Sequence, residues 1–287
     1  MSPRSPRQSC SLVPYLGAAL LLCGLLSLLP AGAQEAPGLE VVVEGVEGEL
    51  RDNVRAFLGL VPLTEEDTEL PGEPRLRWLH RRAPDDVREA LRPFGYYRPE
   101  LESTLERTET GWRATYRIDP GPALPLAALD LQLRGPGQDD PVLRQLIEKS
   151  ELKTGEALDQ RRYEKLKTRL QAVATERGYF DARFERSRIA VDLQAYEARV
   201  SLIYATGERY RLGEVKFENS ALGEKLLNRY VRIKPGQPYS SSALLQLQSD
   251  LINSNYFEQA LIDASPENAV DRVIPVTVQL SMRKRSE

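Results

Sequence analysis

Cysteine and histidine are nearly missing from this 287-residue chain: Cys10 and Cys23 are its two cysteines and His80 its one histidine. Metal centres built on several histidine or cysteine ligands are thereby excluded. A strong charge of one sign is lacking too. Lys and Arg number 39 against 42 Asp and Glu, a net charge of −3, which gives no support to a protein held on nucleic acid by phosphate contacts. Long apolar runs are confined to one place, near the start. The remaining composition, with 41 % hydrophobic residues, is that of a globular protein and argues against disorder. The length allows one large domain or two to three small ones.

The apolar run belongs to a leader. Arg4 and Arg7, the stretch from Leu16 to Leu29, Pro30 and then Ala31-Gly32-Ala33 read as a secretory signal peptide over residues 1–33, cleaved after Ala33. At about 14 residues the stretch falls short of the ~20 needed to span a bilayer. Leucines continue past Cys23, which argues against a lipoprotein anchor. Both cysteines lie in the leader, so the exported part has no disulfide and no Cys–His dyad, and packed cores must stabilise it.

Self-comparison turns up a repeat. Gly95-Tyr96-Tyr97, Gly178-Tyr179-Phe180 and Asn255-Tyr256-Phe257 recur about 80 residues apart. Leu152-Lys153-Thr154-Gly155-Glu156 is echoed by Ile233-Lys234-Pro235-Gly236-Gln237, and Arg134-Gly135 by Glu218-Asn219. Each copy reads as an alternating strand (39–45, 126–135, 210–219), a short helix (49–60, 140–149, 221–231), a second helix (85–94, 159–177, 241–254) and a hairpin. Asp159 and Ser240 suit N-caps, and Tyr163, Leu166, Leu170 and Val173, then Leu244, Leu247 and Leu251, make apolar stripes. Gly95, Gly178 and Asn255 tolerate the left-handed conformation that stops a helix, which lets Tyr96, Tyr179 or Tyr256 fold back on the last turn. The final strands alternate cleanly (Trp112, Ala114, Tyr116, Ile118; Val200, Leu202, Tyr204; Val276, Val278, Leu280), so one sheet face is buried under both helices. The expectation is an α+β chain of three tandem domains, 34–121, 122–207 and 208–287. Each is β-α-α-β-β, with a three-stranded mixed sheet covered on one face by two helices. Short joints are expected at Asp119-Pro120-Gly121-Pro122 and Thr206-Gly207.

Signatures of catalysis are absent. No Gly-x-Ser-x-Gly elbow, phosphate-binding loop or dinucleotide fingerprint occurs, acids are scattered, and no cofactor is implied. The chain reads as a non-enzyme. His80 sits in the basic stretch Arg77-Trp78-Leu79-His80-Arg81-Arg82, which reads as solvated surface. Contact of residues 75–82 and of Arg283-Lys284-Arg285 with anionic head groups is the alternative.

These features resemble polypeptide-transport-associated (POTRA) domains, three of which stand at the amino end of TamA-like outer-membrane translocation and assembly factors of Gram-negative bacteria. The residues that carry the resemblance are Arg88-Glu89-Ala90-Leu91-Arg92-Pro93-Phe94-Gly95-Tyr96-Tyr97 with 119–122 in the first copy, and Glu176-Arg177-Gly178-Tyr179-Phe180 in the second. In the third they are Asn255-Tyr256-Phe257 with Ile274-Pro275-Val276-Thr277-Val278. The resemblance implies a periplasmic scaffold at the inner face of the outer membrane, serving outer-membrane protein or autotransporter assembly and secretion. Binding would proceed by β-augmentation, a visiting strand pairing with an open sheet edge. The implied partners are a TamB-like translocation-module protein, unfolded outer-membrane or autotransporter clients, and an outer-membrane β-barrel; nucleic acid is not among them. The implied edge is the first strand of each hairpin: Glu100, Leu101, Glu102, Ser103, Thr104 and Leu105; Ala182, Arg183, Phe184 and Glu185; Ala260, Leu261, Ile262 and Asp263.

Family members continue into a membrane barrel, whereas this sequence ends at Glu287. The expectation is a truncated product or a barrel-less relative without insertase activity. Two other readings stay open. An envelope spacer would bind no extended peptide, and a hydrolase using distant carboxylates would show a pocket of convergent acids.

Overall fold

A computed structural model describes residues 38–64, 70–218 and 222–283. The expected signal peptide, Asn219, Lys284 and Arg285 lie outside the described residues. The first module holds β1 (Gly38–Glu44), α1 (Gly48–Phe57), α2 (Glu73–Leu91), β2 (Glu100–Thr108) and β3 (Gly111–Asp119). The second holds β4 (Leu126–Arg134), α3 (Pro141–Glu148), α4 (Gln160–Glu176), β5 (Arg183–Asp192) and β6 (Glu197–Ala205). The third holds β7 (Arg211–Glu218), α5 (Glu224–Leu227), α6 (Ser241–Asn253), β8 (Phe257–Asp263) and β9 (Val273–Met282). Strand orders are β1-β3-β2, β4-β6-β5 and β7-β9-β8. The last strand of each module is central, parallel to the first and antiparallel to its hairpin partner. The fold is therefore the expected one, three mixed sheets each with two helices.

The echoes in the sequence acquire a physical cause. Gly155 and Gly236 adopt φ of +89° and +84°. The turns they close pair with the start of the first strand: Gly155 donates to the Leu126 carbonyl and Leu126 to that of Glu156, and Gly236 and Leu212 repeat this with Gln237. Among the described residues of the first module no such turn occurs, and a short 3-10 turn, Val61–Thr64, follows α1. Asp140, Asp159 and Ser240 cap α3, α4 and α6 through their side chains.

Three expectations are corrected. The second helix of the first module starts at Glu73, not at 85. Pro84 lies inside α2. Pro74 occupies the first turn, where a missing N–H costs nothing, and Leu76, Ala83, Val87, Ala90 and Leu91 are buried. The stretch around His80 is solvated as expected, with Arg77, Trp78, Arg81 and Arg82 exposed, but the imidazole turns inward. It is half-buried, with Nδ1 3.2 Å from the Tyr116 hydroxyl. The short helix of the third module contracts to four residues anchored by buried Leu227. Tyr256 does not fold back either. It is 47 % exposed, and Phe257 fills the core in its stead.

The three cores are contiguous with the joints. The first core draws only on residues of its own module, from Leu39 to Ile118. The second includes Tyr97 of the first module, and the third includes Phe180 of the second. Both residues are the last of the recurring tripeptide. Its glycines have φ of +87° and +84° and sit hard against the next module. A Cβ on Gly95 would lie 2.2 Å from the Leu158 carbonyl oxygen, and one on Gly178 2.5 Å from the Tyr239 Cβ. The Gly95 carbonyl accepts from Leu124 (2.8 Å), whose own carbonyl accepts from Leu158 (2.7 Å). At the second joint Gly178, Tyr210 and Tyr239 repeat the relay at 2.8 and 2.9 Å.

Candidate functional site

The sheet order leaves the first strand of each hairpin, β2, β5 and β8, at a sheet edge. Backbone direction follows from three hydrogen bonds. The Thr110 carbonyl accepts from Gly38 (2.9 Å), Ala198 donates to the Pro125 carbonyl (2.9 Å), and the Arg272 carbonyl accepts from Arg211 (2.8 Å). Strand residues alternate sides, so even-numbered residues of each central strand address the first strand and odd-numbered ones the hairpin partner. By register, β2 then turns the N–H and C=O of Leu101, Ser103 and Leu105 away from its sheet. Strand β5 turns out those of Ser187, Ile189 and Val191, and β8 those of Ala260 and Ile262.

Side chains of each second helix reach these edge strands. His80 of α2 reaches the Ser103 hydroxyl from Nε2 (3.5 Å), and the Tyr163 hydroxyl of α4 meets that of Ser187 (2.8 Å). Both ties join side chain to side chain and leave the backbone of the edge available. The third module differs: Gln248 Nε2 of α6 donates to the Ala260 carbonyl itself (2.8 Å). Burial, and then the Arg77 charge, push the His80 pKa below its usual 6.5. The ring is thus neutral near pH 7 and can donate through one nitrogen while accepting through the other. Burial raises the Tyr116 hydroxyl well above its ordinary value, and the Asp86 charge adds to this.

The sequence-expected residues fall on these edges with local differences. Glu100, Leu101, Glu102, Ser103, Thr104 and Leu105 all lie in β2, which has no register irregularity. Ala182 precedes β5, its N–H bonded to the Tyr179 carbonyl (3.2 Å). Arg183, Phe184 and Glu185 lie in β5 where the register shifts between Phe184 and Arg186, and Glu185 pairs with Arg134 (3.1 Å). The regular part of that edge runs from Arg186 to Asp192, further along than the residues chosen from sequence. Ala260, Leu261, Ile262 and Asp263 lie in β8, a strand with its own register shift between Phe257 and Gln259. Gln248 was missed, because nothing in its local sequence marks a helix glutamine that reaches a strand carbonyl.

Two sequence families match the chain. The one described as POTRA domain, TamA domain 1, matches residues 40–120, and the POTRA family described as surface antigen variable number repeat matches residues 210–282. The chain carries POTRA domains. POTRA domains of the Omp85 and TamA kind are periplasmic, non-catalytic and associated with outer-membrane protein assembly. Among solved structures, POTRA domains 3–5 of BamA from Haemophilus influenzae are 17 % identical, with 88 % of this chain and 99 % of that one covered at a TM-score of 0.43. POTRA domains 1–3 of the periplasmic domain of Omp85 from Anabaena are 18 % identical, with 86 % and 96 % covered at 0.32. BamA from Haemophilus ducreyi lacking POTRA domains 1–3 is 18 % identical over 55 % of this chain, at a TM-score of 0.42. The present chain spans 29 % of that protein's length.

Proposed function

We propose that this chain is a periplasmic scaffold of an outer-membrane protein or autotransporter assembly and secretion system, capturing partner and client strands by β-augmentation. Its partners would be a TamB-like translocation-module protein, unfolded outer-membrane or autotransporter clients, and an outer-membrane β-barrel. The three domains would take strands at β2, β5 and β8 through backbone groups, so no single side chain need be essential. The observation that carries the reading is the set of outward backbone groups at Leu101, Ser103 and Leu105 and at Ser187, Ile189 and Val191, beside a helix and without another partner among the described residues. An edge of this kind is a template for another strand.

The test is a pull-down from solubilised envelope membranes, with the chain lacking residues 1–33 as bait and mass spectrometry of what is retained. Parallel baits carry Ser103→Pro, Ser187→Pro and Ile262→Pro, each removing an outward N–H, with circular dichroism to confirm folding. Retention of β-rich envelope proteins that is lost with the prolines supports the reading. Retention unchanged by the prolines, or no retention above a scrambled control, overturns it.

A further inference from the structure

Among the described residues, the two edges whose outward backbone meets no side-chain hydrogen bond, β2 and β5, differ in charge. On the solvent face of β2 stand Glu100, Glu102, Thr104 and Glu106; on that of β5 stand Arg186, Arg188 and Ala190, with Arg183 at its start, while its acids are engaged, Glu185 by Arg134 and the terminal Asp192 by the N–H groups of Gln194 and Ala195. The registers show why these charges are not equivalent. Opposite Glu102 and Glu106 on the neighbouring strand are Arg117 and Arg113. Arg117 reaches both Glu44 and Glu102, and Arg113 reaches Glu40. Of the β2 acids, Glu102 thus has a cation at 3.5 Å, while Glu100, which faces Asp119, and Glu106 make no ion pair among the described residues. Opposite Arg186 and Arg188 are Ile203 and Ser201, and the carboxylate further along the row of Arg188, Asp130 of β4, is held instead by Ser201 and Gln132 at 3.3 and 2.7 Å. Among the described residues neither Arg186 nor Arg188 makes an ion pair, and neither does Arg183, whereas Arg134 and Arg199 nearby are paired at 3.1 and 2.6 Å.

We propose that the β5 edge of the second domain takes an extended strand bearing Asp or Glu at alternate positions, and that β2 rejects such a strand. This rests on the strand-addition reading above and adds the partner's chemistry. A strand paired to the outward backbone of Ser187, Ile189 and Val191 has its Cβ atoms about 5 Å from those of β5. Its solvent-facing side chains then meet Arg186 and Arg188, within reach of guanidinium–carboxylate pairs. Its inward side chains meet the half-buried Ile189 and Val191, which suits apolar residues between the acids. On β2 the same strand would set its carboxylates against glutamates, and directly opposed like charges are destabilising.

The test uses the purified chain and two labelled nine-residue peptides, one alternating Val with Glu and one alternating Val with Lys, in fluorescence-anisotropy titrations at low and high salt. The Glu peptide is expected to bind about tenfold more tightly than the Lys peptide to the β5 edge, with the difference shrinking at high salt. Arg186→Glu with Arg188→Glu should invert the preference, and Ser187→Pro should weaken the Glu peptide while near-ultraviolet dichroism stays unchanged. Equal affinity for both peptides, unaltered by the charge reversal but lost with Ser187→Pro, overturns the charge selection and leaves strand addition standing. Binding that survives Ser187→Pro, or none by either peptide, overturns strand addition at this edge and the present inference with it. Self-association of the chain alone that the charge reversal abolishes and the Glu peptide fails to displace also overturns it, since β2 of a second copy would then be the occupant.

Discussion

The two joints between modules share one backbone relay and differ in everything laid over it. At the first, contacts beyond Tyr97 lie at the surface. Gln160 donates to the Tyr97 hydroxyl (2.6 Å), the Tyr196 hydroxyl donates to the Pro122 carbonyl (2.7 Å), and Arg98 stacks on Tyr196 and bonds the Leu193 carbonyl. Arg161 lies over the Phe94 ring (3.9 Å) and pairs with Glu49, which is 80 % exposed. At the second, a charge is buried. The Asp140 side chain, 2 % exposed, accepts from Arg177 Nε (2.6 Å) and from the Tyr179 hydroxyl (3.2 Å), with Arg209 at 3.8 Å. Arg209 bonds the carbonyls of Arg177 (2.7 Å) and Tyr239 (2.9 Å), so one guanidinium touches both modules. Phe180 adds edge-on contacts to Tyr210 and Tyr239, with ring centroids 5.3 and 4.8 Å away. The same tripeptide thus serves a joint held by exposed pairs, which contribute little, and one organised around a buried ion pair that is costly to break.

The comparison is broken most directly by Asp140→Ala. It strands Arg177 and Arg209 and removes the cap of α3, so denaturant unfolding should show a loss of about 3 kcal/mol or more. Amide exchange should rise at Tyr210 and Tyr239 and not at Leu124. Acid offers a milder route. Burial alone would raise the Asp140 pKa, but the Arg177 hydrogen bond, the Val142 and Leu143 N–H groups and the Arg177 charge outweigh it and hold the carboxyl below its ordinary 3.8. Its contribution is therefore fully present above 3.8 and is lost as pH falls through the lowered value. Exchange at Tyr210 and Tyr239, corrected for intrinsic rates, should accelerate in that window, and the Asp140→Ala variant should lack that step. Arg161→Ala sharpens the contrast from the other side. Loss of its pairs with Glu49 and Asp159, made by a side chain that is 43 % exposed, and of the ring contact should cost about 1 kcal/mol, less than Asp140→Ala, in the same unfolding measurement.

Much of the fold was legible because its signals are local. The left-handed stops at Gly95, Gly178 and Asn255, the caps at Asp159 and Ser240 and the alternating last strands each need only a few neighbouring residues. The edge strands were implied by the family resemblance, and the six residues expected in the first of them lie in β2. What escaped depends on distance in sequence. The tripeptide reads as a helix stop, but its service as a joint depends on Leu158 and Tyr239, which approach only after the next module folds. The start of α2 was hidden by Arg75, Arg77, Arg81 and Arg82 on its outer face, although Leu76, Ala83 and Val87 keep helical spacing beneath them. The tie between Gln248 and Ala260 leaves no mark in composition or periodicity.

The ownership of the cores has a consequence for the order in which the chain folds. Every residue of the first core lies within the first module, whereas the second core borrows Tyr97 and the third Phe180, each from the module before. Among the described residues no core waits for one that is still to come. A chain that emerges amino end first can therefore close its modules one after another, each presenting a tyrosine or phenylalanine on which the next condenses. Removing the first module should weaken the second by leaving a gap where Tyr97 sat, while removing the third leaves the first two cores whole. The repeat is symmetric in topology and directional in assembly.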